Sequence, residues 1–346
     1  MATRTANVNG LNLVYEHEGS GPPIVFLHTF TGSASQFETL IPFLTDDYTC
    51  IAVELRGHGR SDRSPEGHYI TKHLVAEATA FIEQVAGTPA VLLGQSWGAN
   101  VAFGVAAQRP DLVRAIYSDE AVPVNLVLDG SNERALGIMG LVGDAVSEKH
   151  REEGLSFLQF ANRLAAKLPR WAAMDPAGLV GFARLVAGSD PALYAAIRNP
   201  DNSWSPEEAL AIERAVRCPV HVARGDAQAG SIVTEGHVDD LRNAGLHITS
   251  THFPGAGHMA RAYTPAMIDD VRAFLQRAGL WLPPPGGRAS GSRGWTAPAN
   301  CGRRAWIERW LATSGGCFRG SPEVLRAAQR RQPQWTMSKL NLPWSR

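Results

Sequence analysis

Pro89-Ala90-Val91-Leu92-Leu93-Gly94-Gln95-Ser96-Trp97-Gly98-Ala99-Asn100-Val101-Ala102-Phe103-Gly104-Val105-Ala106-Ala107-Gln108-Arg109-Pro110 contains three local signals in succession. Val91–Leu93 is a short apolar run after a proline and reads as a buried strand. Ala99–Ala107 reads as a helix that stops before Pro110. Between them, Gly94-Gln95-Ser96-Trp97-Gly98 is a G-x-S-x-G pentapeptide, which carries meaning only in the context of strand, tight turn and helix. A sharp turn crowds the residues two before and two after its apex, so glycine at 94 and 98 spares a Cβ clash. The same turn strains Ser96 and lifts its Oγ clear of the sheet, where a nucleophile would sit.

Outward from this stretch, strands and helices alternate. Strands are expected at Asn12–His17 (an alternating, edge-like segment), Ile24–Leu27, Tyr48–Val53, Val113–Ser118, Pro219–Ala223 and His247–Thr251. Helices are expected at Ser35–Leu44, Thr71–Val85, Val233–Asn243 and Pro265–Arg277. Such alternation implies a mostly parallel sheet covered on both faces. Residues 124–205 carry helical patterns at Ala145–Phe160, Ala161–Trp171 and Pro176–Val186 and no strand pattern. An all-helical insertion after the sixth strand reads as a lid over the strand C-termini, where open α/β sheets bind ligands. The expected division is thus a core over 1–123 and 206–282, a helical lid over 124–205 and a tail over 283–346.

The tail differs in character. It carries eleven Lys and Arg against two Asp and Glu, and five of the nine tryptophans, while the whole chain has a formal net charge of zero. Basic residues among aromatics suit single-stranded nucleic acid, but no folded platform presents them, and the composition reads as disordered. The even overall charge gives no argument for nucleic acid or membrane partners. Cys50, Cys218, Cys301 and Cys317 show neither C-x-x-C nor Cys/His ligand spacing, so neither zinc nor a disulfide framework is indicated. No apolar run reaches the roughly 18 residues of a membrane span, and Met1–Asn7 lacks a signal-like apolar segment. The expectation is a cytoplasmic protein with no metal and no cofactor, its oligomeric state left open.

Four patterns in order make residues 8–280 resemble the α/β-hydrolase family. They are His28-Thr29-Phe30 after a strand, Glu54-Leu55-Arg56-Gly57-His58-Gly59-Arg60-Ser61-Asp62, the Ser96 pentapeptide, and Gly255-Ala256-Gly257-His258-Met259. The resemblance implies an α/β-hydrolase fold: a mostly parallel eight-stranded sheet, helices on both faces and a helical lid. It also implies chemistry. A serine hydroxyl needs a base, and histidine suits that task near neutral pH. Ser96 is then the nucleophile and His258 the base, while His28 supports loop structure. His58, His68 and His73 fall in or near expected surface loops and read as solvated. The developing oxyanion needs donors already in place, and the family pattern points to the backbone N–H groups of Phe30 and Trp97. Thr29 departs from the family's usual glycine.

The third member is ambiguous. The family's usual acid position after the seventh strand holds Gln228, with Asp226 two residues earlier. Haloalkane dehalogenases and zearalenone lactone hydrolases place the acid directly after the sixth strand. There this chain has Asp119 and Glu120, the latter 24 residues past Ser96. The resemblance favours Glu120, with Asp226 and Asp119 as alternatives. Enzymes of this fold that open epoxides or remove halide use Asp at the elbow, so Ser96 points to acyl transfer. The expected activity is hydrolysis of a small-molecule carboxylic ester or lactone. A carbon–carbon bond hydrolase or cofactor-free perhydrolase on the same triad, or a non-catalytic ligand receptor, is the alternative. Gly57-His58-Gly59 matches no phosphate loop and reads as a turn. Trp171, Phe182 and Trp204 read as lid core or pocket wall, and Met259 as packing.

Overall fold

The computed structural model describes residues 1–64, 68–123, 133–169, 172, 176–197, 204–258 and 264–279. The expectations for Trp171, Met259, Cys301, Cys317 and the whole 283–346 tail lie outside these residues.

Eight strands form one sheet: β1 (Ala2–Val8), β2 (Leu11–Gly19), β3 (Pro23–Leu27), β4 (Thr49–Val53), β5 (Ala90–Gln95), β6 (Val113–Asp119), β7 (Val220–Arg224) and β8 (Ile248–His252). Their order is β1-β2-β4-β3-β5-β6-β7-β8. The β1–β2 and β2–β4 pairs are antiparallel and the remaining neighbours parallel. The helices are α1 (Thr71–Phe81), α2 (Trp97–Gln108), α3 (Glu133–Arg151), α4 (Phe157–Lys167), α5 (Pro176–Val186), α6 (Pro191–Ala196), α7 (Pro206–Ala215), α8 (Glu235–Asn243) and α9 (Pro265–Arg277).

Alternation along each strand builds two cores. Val25, Leu27, Ile51, Val53 and Leu92 face one side and pack with Leu74, Val75 and Phe81 of α1 and with Val101 and Val105 of α2. Ile24, Phe26, Cys50, Ala52, Val91 and Leu93 face the other and pack with Phe37, Leu40 and Ile41 and with Met267, Val271 and Phe274 of α9. The first core continues through Val142, Phe160, Leu164, Phe182, Leu193 and Trp204, so α3–α6 and the segment entering α7 share one apolar mass with the sheet. Burial pushes the thiols of Cys50 and Cys218 up to about 12, which makes both packing groups rather than reactive ones. Among the described helices none is long and apolar enough to cross a membrane.

Three expectations need correction. The Asn12–His17 segment is not the sheet edge. It belongs to β2, and β1 lies outside it across the two-residue turn Asn9-Gly10, both at positive φ (50° and 84°). That is the pairing favoured by a right-twisted hairpin. Ser35–Leu44 is not one helix but two short tight turns, Ala34–Phe37 and Ile41–Phe43, because Pro42 cannot donate into a continuing helix. The helix expected over Ala145–Phe160 ends at Arg151. Gly154 takes φ +81° and Ser156 begins α4 with a reciprocal cap to Gln159.

One corner of the helical layer is fixed to the sheet side of the molecule. The Asp190 N–H donates to the Gly57 carbonyl at 2.7 Å, and Tyr69 Oη donates to Asp190 Oδ2 at 2.5 Å. A Cβ on Gly188 would lie 2.7 Å from the Gly59 carbonyl oxygen, so this approach depends on glycine.

Candidate active site

Ser96 joins β5 to α2 with φ 51° and ψ −119°, a conformation a non-glycine residue adopts only under constraint. The constraint is visible on both sides. A Cβ on Gly94 would lie 2.5 Å from the Ala99 Cα, and one on Gly98 would lie 2.0 Å from the Leu27 carbonyl oxygen. Both are far inside contact distance, so the glycines at these two positions are obligatory. The Ser96 N–H donates to the Asp119 carbonyl at 2.9 Å, which ties the turn to the end of β6.

His258 reaches this serine from the loop after β8. Its Nε2 lies 3.0 Å from Ser96 Oγ. The loop is held where Gly257 passes the Ala229 carbonyl, 2.1 Å from where a Cβ would stand, and where the His258 N–H donates to the Gly230 carbonyl at 3.3 Å. On the far side of the ring, His258 Nδ1 faces Glu120 Oε2 at 3.6 Å.

Glu120 follows β6 directly, with φ 60° and no solvent exposure. Its Oε1 accepts from the Gly225 N–H at 2.6 Å and from Ser231 Oγ at 2.7 Å, and its Oε2 accepts from the Ile232 N–H at 3.0 Å. Three donors on a buried carboxylate compensate the desolvation of the charged form and fix its direction toward His258. Asp226 goes elsewhere. Its Oδ2 accepts from the Gly255 N–H and its Oδ1 meets His252 Nε2, both at 2.5 Å. The Gly255 N–H, together with His252, holds its carboxyl below the usual range. Asp226 thus restrains the loop that carries His258 without touching the imidazole. Asp119 is buried and contributes its carbonyl to the Ser96 turn, while Gln228 sits exposed in a short turn at 227–229.

The backbone N–H groups of Phe30 and Trp97 have no hydrogen-bond partner among the described residues. Trp97 opens α2, so its N–H is one of the groups a helix start leaves free. The Phe30 N–H is aimed by its own peptide plane. The Thr29 carbonyl accepts from His28 Nδ1 at 2.7 Å and from the Gly32 N–H at 2.9 Å. A trans peptide then directs the Phe30 N–H the opposite way. Thr29 replaces a glycine without strain because its φ is not positive; among the described residues only Asn9, Ser96 and Glu120 are non-glycine residues in that region. Its N–H donates to Gln36 Oε1 at 3.2 Å, and Gln36 Nε2 donates to Gln95 Oε1, next to Ser96.

The histidines divide clearly. His28 is fully buried, and its Nε2 accepts from the Leu55 N–H at 3.0 Å. Burial and the neighbouring His58 keep its pKa well below the usual value, in keeping with a neutral Nδ1–H form. The expectation that His58 is solvated is wrong: it is fully buried, 4.6 Å from the His28 ring. The 54–61 segment folds back under the Phe30 loop, which a local reading of Gly-His-Gly does not reveal. His68 is exposed and His73 half-buried on α1.

Phe182 and Trp204 are core residues of the helical layer, Trp204 donating from Nε1 to Asn100 Oδ1 at 3.0 Å. Phe30 packs against Trp97 (4.9 Å between ring centres) and edge-on to Tyr194 of α6 (5.6 Å). Gln36, Ser231 and Tyr194 take part in this site although nothing in their local sequence marks them.

A family model described as alpha/beta hydrolase fold matches residues 22–211. Among curated proteins, the chain is 36% identical over 121 residues to 2-(acetamidomethylene)succinate hydrolase of Mesorhizobium japonicum, a match covering 35% of this chain and 43% of that protein. It is 36% identical over 115 residues to a haloalkane dehalogenase of Bradyrhizobium diazoefficiens, covering 33% of this chain and 37% of that one. These matches thus span less than half the length of the relatives. Among solved structures, that of E-2-(acetamidomethylene)succinate hydrolase superposes with a TM-score of 0.60 at 24% identity, over 80% of this chain and 99% of the other. The enol-lactonase of Burkholderia xenovorans LB400 gives 0.59 at 19% identity, over 79% and 100%. At those identities the structures speak for the fold alone.

Proposed function

The chain belongs to the alpha/beta hydrolase fold family, and from that footing we propose that it cleaves a carboxylic ester or lactone through an acyl-enzyme on Ser96. The observation that carries this reading is the line Ser96 Oγ, His258 Nε2 at 3.0 Å, and His258 Nδ1 facing the Glu120 carboxylate at 3.6 Å. With Nδ1–H turned to Glu120, the Nε2 lone pair is free to take the serine proton as Oγ attacks the carbonyl. The resulting oxyanion lies between the Phe30 and Trp97 N–H groups. Glu120 stabilises the imidazolium, which then gives its proton to the leaving alkoxide. Water, activated by the same imidazole, releases the acid and restores the serine. An aspartate at position 96 would instead form an ester by displacement; serine suits attack on an acyl carbon.

In this reading helices α3–α6, within residues 124–205, form the lid over the strand C-termini, and Phe30, Trp97 and Tyr194 give the site an apolar wall. The identity to 2-(acetamidomethylene)succinate hydrolase favours a second reading, an acetamido-bearing acid as substrate with the same three side chains. The test is a panel of aryl esters, lactones and acetamidomethylene acids, with Ser96→Ala alongside. Turnover that disappears with Ser96→Ala supports the hydrolase, and the class turned over decides between the two. A Ser96→Ala variant as active as the parent overturns the reading.

A further inference from the structure

His58 lies outside the three-residue line, yet it is fully buried and both of its ring nitrogens face backbone carbonyls. Nε2 is 2.7 Å from the Phe30 oxygen and Nδ1 is 3.0 Å from the Arg56 oxygen. A neutral imidazole has one N–H, so it can satisfy only one of them, and the unprotonated nitrogen then turns its lone pair toward an oxygen. The shorter contact takes the proton more favourably. His28 is different in kind. Its Nε2 is committed as an acceptor to the Leu55 N–H, which leaves a single tautomer that donates to the Thr29 carbonyl.

The two rings therefore hold successive carbonyls, those of Thr29 and Phe30. These belong to the two peptide planes that flank the Phe30 Cα. Fixing the first plane aims the Phe30 N–H, and fixing the second stops the residue from rotating away from that aim. Resting on the hydrolase reading, we propose that His58 is a positioning residue of the oxyanion hole, donating Nε2–H to the Phe30 carbonyl and so holding the Phe30 N–H toward the reacting oxygen.

The surroundings support a donor in that place. Burial disfavours a charged ring, whereas the carbonyls of Phe30, Arg56 and Leu55 and the charge of Glu54 favour one. The Nε2–H bond to Phe30 survives in either charge state, since protonation adds a proton at Nδ1 for the Arg56 carbonyl. The Phe30 and Trp97 rings, at 6.4 and 6.2 Å from His58, close the remaining sides.

The experiment uses the full chain and its His58→Phe and His58→Gln variants. Each is treated with an aryl phosphonate ester, whose adduct on Ser96 places an oxygen where the oxyanion develops. Steady-state kinetics on an aryl ester and thermal unfolding accompany the labelling. Loss of one oxyanion donor costs on the order of 10²-fold in kcat, so His58→Phe is expected to lose roughly 10- to 100-fold in both labelling rate and kcat, with KM within about threefold. His58→Gln, which keeps an N–H for the Phe30 carbonyl, is expected to recover most of that loss even if both variants unfold at the same lowered temperature. A structural role alone would instead make activity follow stability and move KM with kcat. Imidazole ¹⁵N spectra of the wild type provide a readout that needs no variant, and Nε2 is expected to be the protonated nitrogen. Labelling at Ser96 that does not depend on His58, or a spectrum with the proton on Nδ1 alone, overturns this proposal and leaves the hydrolase standing. A wild type that takes no label at Ser96 overturns the hydrolase reading itself, and this proposal with it.

Discussion

Glu120→Gln removes one charge and almost no volume, which makes it the sharpest perturbation of the site. In the transition state His258 is an imidazolium whose Nδ1–H faces Glu120 Oε2, 3.6 Å away in this structure. Two unit charges at that distance, at an effective dielectric constant near 20, attract by about 4–5 kcal/mol. At ~1.4 kcal/mol per decade this is roughly a 10³-fold loss of kcat. The folding cost is smaller. With its carbonyl oxygen toward Ile232 and His258, a glutamine keeps the Ile232 bond and places its NH2 toward Gly225 and Ser231. Ser231 Oγ is already 3.2 Å from the Val233 carbonyl and 3.3 Å from the Gly225 N–H, so it can rearrange to serve both. One weakened bond costs about 1–2 kcal/mol. The assay is kcat and KM on an aryl ester, with thermal unfolding as the control and Asp226→Asn as the comparison. Asp226 touches Gly255 and His252 but not His258, so its neutralisation is expected to cost less than about tenfold. Glu120→Gln retaining more than a tenth of wild-type kcat, or Asp226→Asn doing the greater damage, refutes the assignment of the acid.

Gly98→Ala puts a Cβ 2.0 Å from the Leu27 carbonyl, a clash with backbone that no rotamer relieves. It is expected to destabilise by about 3 kcal/mol or more, seen as a lower unfolding midpoint or as insoluble protein. Gly154→Ala meets no atom within 4 Å but must hold φ +81°, so it should cost only about 1 kcal/mol and leave kcat unchanged. His28, held neutral by burial and by His58, should show no titration in ¹⁵N spectra at pH 5.5. The unfolded chain takes up that proton below about pH 6.5, so stability is full above this pH and falls as acid is added. Asp270 adds to the acid limb. Burial alone would raise its pKa, but hydrogen bonds from His221, Thr251 and Tyr117 overcome this and hold it below the usual value. Its contribution is therefore present above about pH 4 and lost below it, and Asp270→Asn should flatten unfolding midpoint against pH in that range.

The elbow was legible because its requirements are local. Strand, glycine, serine, glycine and helix follow one another without a break from Ala90 to Gln108, and the two glycines answer to clashes with Ala99 and Leu27 that follow from the turn itself. The hairpin turn Asn9-Gly10 is equally local, yet apolar pattern does not mark β1 as a strand, because Ala2–Val8 is exposed over most of its length and shows little apolar alternation. Pairing with β2 rather than burial makes it a strand. The break between α3 and α4 was also available in Gly154 and Ser156, but helical periodicity on both sides masked it.

The acid is the harder case, and it shows where linear reading stops. Position relative to strands offered Asp119, Glu120 and Asp226, and no propensity separates them. What separates them is a contact between chain segments more than a hundred residues apart. Gly225, Ser231 and Ile232, on the far side of the helical layer in sequence, supply three donors that converge on Glu120, while Gly255 and His252 draw Asp226 away. Each donor set is unremarkable in its own sequence, and only the parallel register of β6 beside β7, Asp119 against Ala223, brings the first set under the carboxylate. The same holds for His58, whose partner carbonyl lies 28 residues earlier, in the Phe30 loop. Side chains that react must satisfy chemistry that sequence displays, a serine with a histidine in reach. Side chains that aim them need only a hydrogen bond of the right direction, which many residue types could provide from many positions in the chain. For that reason Ser96 and His258 stand out in the sequence as a candidate nucleophile and base, and Glu120 through resemblance, while the donors that aim Glu120 and the place of His58 under the Phe30 loop become visible only once the sheet has set these segments side by side.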